Sequence, residues 1–497
     1  MGNNSTIDIQ NDELLACKLG SVKENDPTDG KEVDLYYQPG KAFFTMQIGE
    51  IALSKPTVAF KKCRKIIPCE QVYGVSTFED FLLNDIGSTY RISILKKEEN
   101  SDKFEILNFY FKREEDFVQA QLKLDEYNFA DRDGVERNIC VLVNPISGKK
   151  VSREYYFSIL KPVLSFNSIK HSMFETQSAT YIEEFITELD VNQTSFNEFV
   201  VIGGDGVFSQ LLNALMKHSD SSKLIKFPIG IIPGGSTNSL CCALSGKNPY
   251  MASKNIANKS LLKGDIFRVN MNDSKKSIYS TALTYGLPSD LVIESENLRN
   301  IFGRYRYIAT AVPKFIKPTK FPVYESEVFY KLEDDHQQQS STDDAHIEGS
   351  DLRVCGISIP KIPDGDLRSD STLFKFGNEW KKINIDEFLF HAIITHENRS
   401  SVGKDVNAPF ARIDDGFMYL FGLKKCSRIE ALTFLSRASK GTQVDYEKYF
   451  YQKATELRFK NPCGSYFCSD GEPYKSDDYT VKLLPGFVNL MGETVKE

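Results

Sequence analysis

The chain has 497 residues, 41% hydrophobic and 12% aromatic, with a formal net charge of −7. That apolar content is ample for a large core, and the length suits roughly two to four domains. The negative balance excludes a global basic field for nucleic acid or anionic lipid, so any phosphate or membrane contact must come from local clusters.

The opening MGNNSTIDIQNDELLACKLG lacks the basic start and apolar run of a signal peptide. Met1-Gly2 with Ser5-Thr6 loosely fits a myristoylation start. The polar composition is otherwise that of a disordered tail, and residues 1–33 are assigned so. No stretch approaches the ~18 uninterrupted apolar residues of a bilayer span. Ten cysteines without a secretory signal read as reduced thiols. Neither Cys63 and Cys69 nor Cys463 and Cys468 has the spacing of a zinc knuckle.

Between 34 and 133, AFFTMQIGE, TVAFKK, EQVYGVST, TYRISILKK and FEILNFYFK mix β-branched and aromatic residues between turn signals. REEDFVQAQLKLDEYNF then takes a helical period. Strands closed by one helix is the order of a pleckstrin-homology module, a pattern shared by other small β modules. Its cluster Lys61-Lys62-Cys63-Arg64-Lys65 suits either anionic headgroups or a solvated strand edge.

From 137 to 265 the pattern becomes α/β. NICVLVNP, FVVIGGDG and IGIIPGGS are apolar strand runs entering glycine-rich loops, with helical stretches REYYFSILKPVL and VFSQLLNALMKH between them. Runs buried on both faces and alternating with helices predict a parallel sheet with ligands at the strand C-terminal ends. Strands return over 266–492, suggesting an antiparallel lobe. Within it the acidic, low-complexity segment 333–351 reads as a solvated, disordered insertion.

Three loops carry the chemistry. Asn144-Pro145-Ile146-Ser147-Gly148-Lys149-Lys150 offers exposed amides before two lysines. Gly203-Gly204-Asp205-Gly206 lets the backbone approach a phosphate at a helix start. Pro233-Gly234-Gly235-Ser236-Thr237-Asn238 sets two hydroxyls and an amide at a second helix start. Each alone is an ordinary turn, and the P-loop spacing is absent. All three in order, each directly after an apolar strand, make a far more specific signal.

Those loops, with Asp470-Gly471-Glu472 and Val488-Asn489-Leu490-Met491-Gly492 further on, resemble the diacylglycerol kinase-like lipid kinases, within them the sphingosine and ceramide kinase branch. The resemblance runs from about Arg137 to Gly492. It implies an α/β nucleotide-binding domain followed by a β-sandwich lipid domain, and transfer of the γ-phosphoryl group of ATP to a lipid hydroxyl with Mg2+. Asp205 is then the general base or hydroxyl orienter. Asn144, Ser147, Gly148, Gly203, Gly204, Gly206, Gly235, Ser236 and Thr237 line the nucleotide, with Glu175, Arg299, Arg306 and Glu472 as further contacts. Asp470 and Glu472 hold the metal through hard carboxylate oxygens. For the aspartates the bland alternative is helix capping or turn formation, and for the arginines a surface salt bridge.

The resemblance also bears on the substrate. Sphingosine kinases carry acids at the places of Asp290 and Val292, the second pairing with the lipid amine; this chain has Asp290 but Val292. A buried ammonium needs a partner, whereas the neutral amide of ceramide does not. The reading is therefore a ceramide kinase-like enzyme, with Asp290 and Glu294 still able to serve an amine. The implied protein is cytoplasmic and peripherally bound to intracellular or plasma membranes, with a sphingolipid substrate and no nucleic acid. Pro313 to Phe321 mixes cations with apolar residues and suits either a membrane interface or an exposed linker.

Departures leave alternatives open. Gln210 stands where a glutamate is usual, and FETQSATY keeps only Glu175, with Phe174 and Ala179 replacing expected polar residues. Sphingosine kinase is the nearest alternative, then diacylglycerol kinase. A soluble NAD kinase shares the GGDG logic, and an inactive membrane adaptor is the reading from a different class.

Overall fold

The structure, a computed structural model, describes residues 34–37, 43–48, 52–53, 59–60, 63–68, 72–80, 89–97, 103–111, 114–124, 136–298, 306–316, 321–332, 353–354, 357–358, 377–397 and 408–493. The chain divides into two units, one of residues 1–137, 157–171 and 257–259 and the other of 138–156, 172–256 and 260–497. The expected tail 1–33, the insertion 333–351 and Arg299 lie outside the described residues, as do the side chains of Lys61 to Lys65.

The first unit carries two antiparallel sheets of three strands. One joins Asp34–Tyr37, Phe43–Ile48 and Cys63–Pro68; the other joins Val72–Asp80, Thr89–Lys97 and Phe104–Phe111. Val72, Val75, Ile92 and Ile94 are buried. The helix Glu114–Leu124 follows, and its Phe117 stacks on Tyr90 at 4.9 Å between ring centroids.

The second unit begins with β1 (Asn138–Val143), β2 (Lys170–Glu175, in this unit from Ser172 on), β3 (Glu198–Gly203) and β4 (Ile229–Pro233). β3 pairs in parallel with both β1 and β4. All six β3 residues are buried, which is why these strands read as unbroken apolar runs rather than alternating ones. Helix α1 (Asp205–Lys217) follows β3 and buries Val207, Phe208, Leu211, Leu212 and Leu215, a spacing of three and four. Helix α2 (Ser239–Ser245) follows β4.

The expected boundary between residues 265 and 266 falls inside β5 (Leu261–Met271). After it come β6 (Lys276–Ser280), β7 (Ala282–Gly286), helix α3 (Leu287–Ser295), helix α4 (Arg306–Ile316) and β8 (Glu327–Leu332). Then follow β9 (Glu387–Ile394), β10 (Met418–Lys424), helix α5 (Arg428–Ala438), β11 (Tyr449–Ala454) and β12 (Glu456–Lys460). The unit ends on β13 (Tyr466–Ser469), β14 (Glu472–Lys475) and the long β15 (Asp478–Met491).

One ten-stranded sheet runs β2-β1-β3-β4-β15-β12-β8 and on to Gly377–Lys382, with β5 on β15 and β6 on β5. Its parallel part becomes antiparallel at β15, whose end pairs in parallel with β4 while its body pairs antiparallel with β5 and β12. A second antiparallel sheet runs β11-β10-β9-β7-β13-β14. Phe267, Val328, Phe459, Tyr479 and Val481 of the first sheet share a core with Leu283, Phe388, Ile393, Leu420 and Phe467 of the second. The lobe is therefore a β-sandwich. Asp265 staples its edge: its carboxylate accepts the N–H groups of Gly416 and Gly486, each at 2.7 Å, and burial pushes its carboxyl up to about 6.

Candidate functional site

Parallel strands that end together bring their following loops together. Asn144 N–H donates to the Ile202 carbonyl at 3.0 Å, and Gly234 N–H to the Gly203 carbonyl at 2.8 Å, so the loops after β1, β3 and β4 leave the sheet side by side. They then touch backbone to backbone. A Cβ on Gly148 would lie 2.5 Å from the carbonyl carbon of Gly235, and one on Gly204 would lie 3.2 Å from the Gly235 Cα. Gly148 also has φ +51°, a conformation costly for any side chain. Asn238 (φ +56°) ties its own turn, accepting the Gly235 N–H at 2.7 Å and donating to the Gly235 carbonyl at 3.0 Å. Ser147 and Ser236 are half-buried beside these glycines, and Thr237 is exposed. In the first loop the Asn144 side chain accepts the Ile146 N–H at 3.2 Å, shaping the turn.

Asp205 occupies the first turn of α1. Its two oxygens accept the backbone N–H groups of Ser239 (2.9 Å) and Leu240 (3.0 Å) at the start of α2. Partial burial raises its carboxyl above the ordinary range, against the pull of those two amides.

Asp470 faces the same place. A Cβ on Gly206 would be 3.4 Å from its carbonyl oxygen. Asp470 and Gly471 have φ of +47° and +91° between paired Ser469 and Glu472, the Asp-Gly turn of a tight hairpin. Its carboxylate accepts the Ser280 hydroxyl at 2.7 Å, the Ala282 N–H at 3.1 Å and the Thr281 hydroxyl at 3.4 Å. Burial pushes its carboxyl up to about 7, and the charge of Asp205 adds to the rise. Two neighbouring carboxylates, Asp470 raised in part by the charge of Asp205, beside glycine-lined amides, form a site with a deficit of positive charge. That donor chemistry fits Mg2+, which is held by one or two carboxylates together with substrate phosphates. Glu472 is exposed on β14, and among the described residues no group of three or more His, Cys, Asp or Glu gathers.

Glu175 lies at the end of β2 and binds Arg153 through two bonds of 2.6 and 2.7 Å. The arginine draws the Glu175 carboxyl below its ordinary value. Arg306 is buried on α4, donating to Glu296 at 2.5 Å and to the Tyr307 hydroxyl at 2.7 Å. On α3, Asp290 accepts the Tyr324 hydroxyl at 2.5 Å, and burial raises its carboxyl. Val292 is half-buried, and exposed Glu294 pairs with Lys314 at 2.7 Å. The structure thus gathers Gly148, Gly204, Asp205, Gly206, Gly235 and Asp470, while no described contact joins Arg306, Asp290 or Glu294 to them.

Sequence reasoning missed Arg153, Ser280, Thr281, Tyr324 and Ser239. Arg153 carried a detectable signal, a cation just after the first loop. The others are small or common residues whose role depends on distant partners.

Among the described residues no helix is long and apolar enough to cross a membrane. Compared with known proteins, the chain is 27% identical over 336 residues to Sphingosine kinase 1 of Arabidopsis thaliana, covering 65% of this chain and 64% of that protein. It is 31% identical over 192 residues to Sphingoid long-chain bases kinase 1 of the same plant, covering 38% and 25%. To Ceramide kinase of Mus musculus it is 26% identical over 322 residues, covering 61% and 58%. The chain thus spans less than two thirds of the length of each of these three relatives. The stretch that bears all three glycine loops and Asp205, residues 138–269, matches the family described as the diacylglycerol kinase catalytic domain.

Proposed function

We propose that the chain is an ATP-dependent lipid kinase acting on the primary hydroxyl of a sphingolipid, ceramide before sphingosine. The observation that carries this reading is the packing of Gly148, Gly204 and Gly235 around one another, with Asp205 beside them. Backbone without side chains leaves amides open to the terminal phosphates, and phosphoryl transfer needs positioning and charge neutralisation above all. The hydroxyl oxygen bonds to the γ-phosphorus as the bond to the bridging oxygen breaks, and ADP leaves. Asp205 orients the hydroxyl and takes its proton; its raised carboxyl pKa suits that role. Mg2+, when bound, supplies positive charge to the phosphates, and Asp470 would hold it, with Glu472 near at hand on the hairpin.

For the substrate, Val292 offers no partner to an ammonium, which supports an N-acylated lipid. The relatives named for sphingosine and for ceramide match at similar identity and do not separate the two. Half-buried Asp290 favours sphingosine as the second reading, since its carboxylate, already engaged by Tyr324, would also accept an amine. We also read residues 34–133 as a pleckstrin-homology-like module and place the enzyme at cytoplasmic membrane surfaces. Incubation with γ-labelled ATP and Mg2+ against ceramide, sphingosine and diacylglycerol tests the proposal. Label in ceramide above the others supports it, and label in none refutes it.

A further inference from the structure

His396 lies just past the end of β9 and is 1% exposed. Its Nε2 is 2.9 Å from the hydroxyl of Ser239, the first residue of α2. Its Nδ1 is buried with no partner among the described residues. Leaving a buried ring nitrogen unsatisfied costs on the order of 1–3 kcal/mol, so an apolar side chain would fill the position more cheaply. The residue preceding it matters too: Thr395 N–H donates to the Thr281 carbonyl at 3.1 Å. Thr281 stands between Ser280 and Ala282, and all three hold the carboxylate of Asp470. Ser239, for its part, gives its own N–H to Asp205.

Helix α2 has seven residues and follows a left-handed Asn238, so it has little stability of its own. The direction of its first two N–H groups depends on what anchors that turn. Asn238 anchors it to Gly235, and His396 anchors it to the sandwich.

We infer that Thr395-His396 is a bracket tying the supports of the two site carboxylates together, with His396 the positioning residue that fixes Asp205 through Ser239. The inference rests on the kinase reading for its effect on turnover, but its structural part stands apart from that reading. Misplacement of a reacting group by about 1 Å can cost about 100-fold in rate.

The test compares the full chain with His396→Leu, Ser239→Ala, the double variant and His396→Gln, whose amide reaches toward the place of Nε2. Two readouts are taken: steady-state kinetics with ATP and ceramide, and hydrogen exchange of the 238–245 segment. We expect kcat to fall about 10- to 100-fold in each single variant with KM for ATP and lipid within about twofold. The double variant should fall no further than the singles, and His396→Gln should recover most of the rate. Exchange at Ser239 and Leu240 should rise in the Leu and Ala variants and not in the Gln variant. Unchanged exchange in folded His396→Leu overturns the inference, as do losses that multiply in the double variant or appear in KM alone. A wild-type protein without turnover on any lipid refutes the kinase reading, and the exchange result then still decides the bracket.

Discussion

Gly148 lies against Gly235 so closely that a methyl group on Gly148 would come within 2.5 Å of the Gly235 carbonyl carbon. Two loops separated by most of the α/β part of the chain thus share one backbone surface, and neither can carry a side chain where they meet.

Gly148→Ala is accordingly expected to suffer twice. The positive φ costs about 1 kcal/mol for an L-residue, and the clash with backbone adds to it because neither loop has a flexible end to move aside. Thermal unfolding should show a fall of about 1–3 kcal/mol, and fluorescent ATP-analogue binding should be lost. Wild-type binding in this variant would contradict a shared phosphate cradle.

Asp470 predicts a pH dependence of stability. Its carboxyl is raised to about 7 in the fold, above about 3.9 for a free aspartate, so the fold favours the protonated form. The sign follows: its contribution is fully present below pH ~4 and is lost as pH rises through 7. Asp470→Asn should therefore unfold at a higher temperature than wild type at pH 8, with the difference shrinking toward pH 4, while turnover disappears. Asp265, raised to about 6, remains and leaves part of the slope. Equal melting temperatures at pH 8 would contradict the burial of that charge.

His391 works in the opposite direction. It is fully buried, stacked between Tyr285 and Phe459 with ring centroids 4.9 Å away on each side, and among the described residues neither ring nitrogen has a partner. Burial lowers its pKa to about 3, so the fold favours the neutral ring. Stability is present above the free-histidine pKa of ~6.5 and is lost as pH falls from there toward 3. His391→Phe keeps the stacking and removes the titration. Melting curves at pH 7 and pH 5 should show a smaller acid loss in the variant; a loss equal to wild type would sink the assignment.

How much of this was legible in the sequence follows from how local each signal is. The strands Asn138–Val143, Glu198–Gly203 and Ile229–Pro233 announce themselves because burial on both faces makes them apolar throughout, and their glycine loops follow at once. The Asp-Gly pair at 470–471 is likewise a local hairpin signal. The placing of Asp478–Met491 beside β4 is not legible, because pairing across more than 200 residues leaves no pattern in either strand. Nor are Ser280 and Thr281, whose hydroxyls acquire a role only when Asp470 arrives from 190 and 189 residues away. Arg306 was expected at the nucleotide from resemblance alone, and its observed partners are Glu296 and Tyr307.

Val292→Asp tests the substrate argument. A carboxylate on α3 would meet an ammonium and repel nothing in a neutral amide. The ratio of sphingosine to ceramide turnover should rise about tenfold or more, in line with the gain from pairing a partly buried charge. An unchanged ratio would remove the reason for preferring ceramide.

Asp205→Asn, assayed with γ-labelled ATP and ceramide beside a melting curve of the same preparation, isolates the carboxylate from the fold. The variant should stay folded while its label transfer falls by at least about 100-fold. Full transfer by that variant would contradict the role given to Asp205.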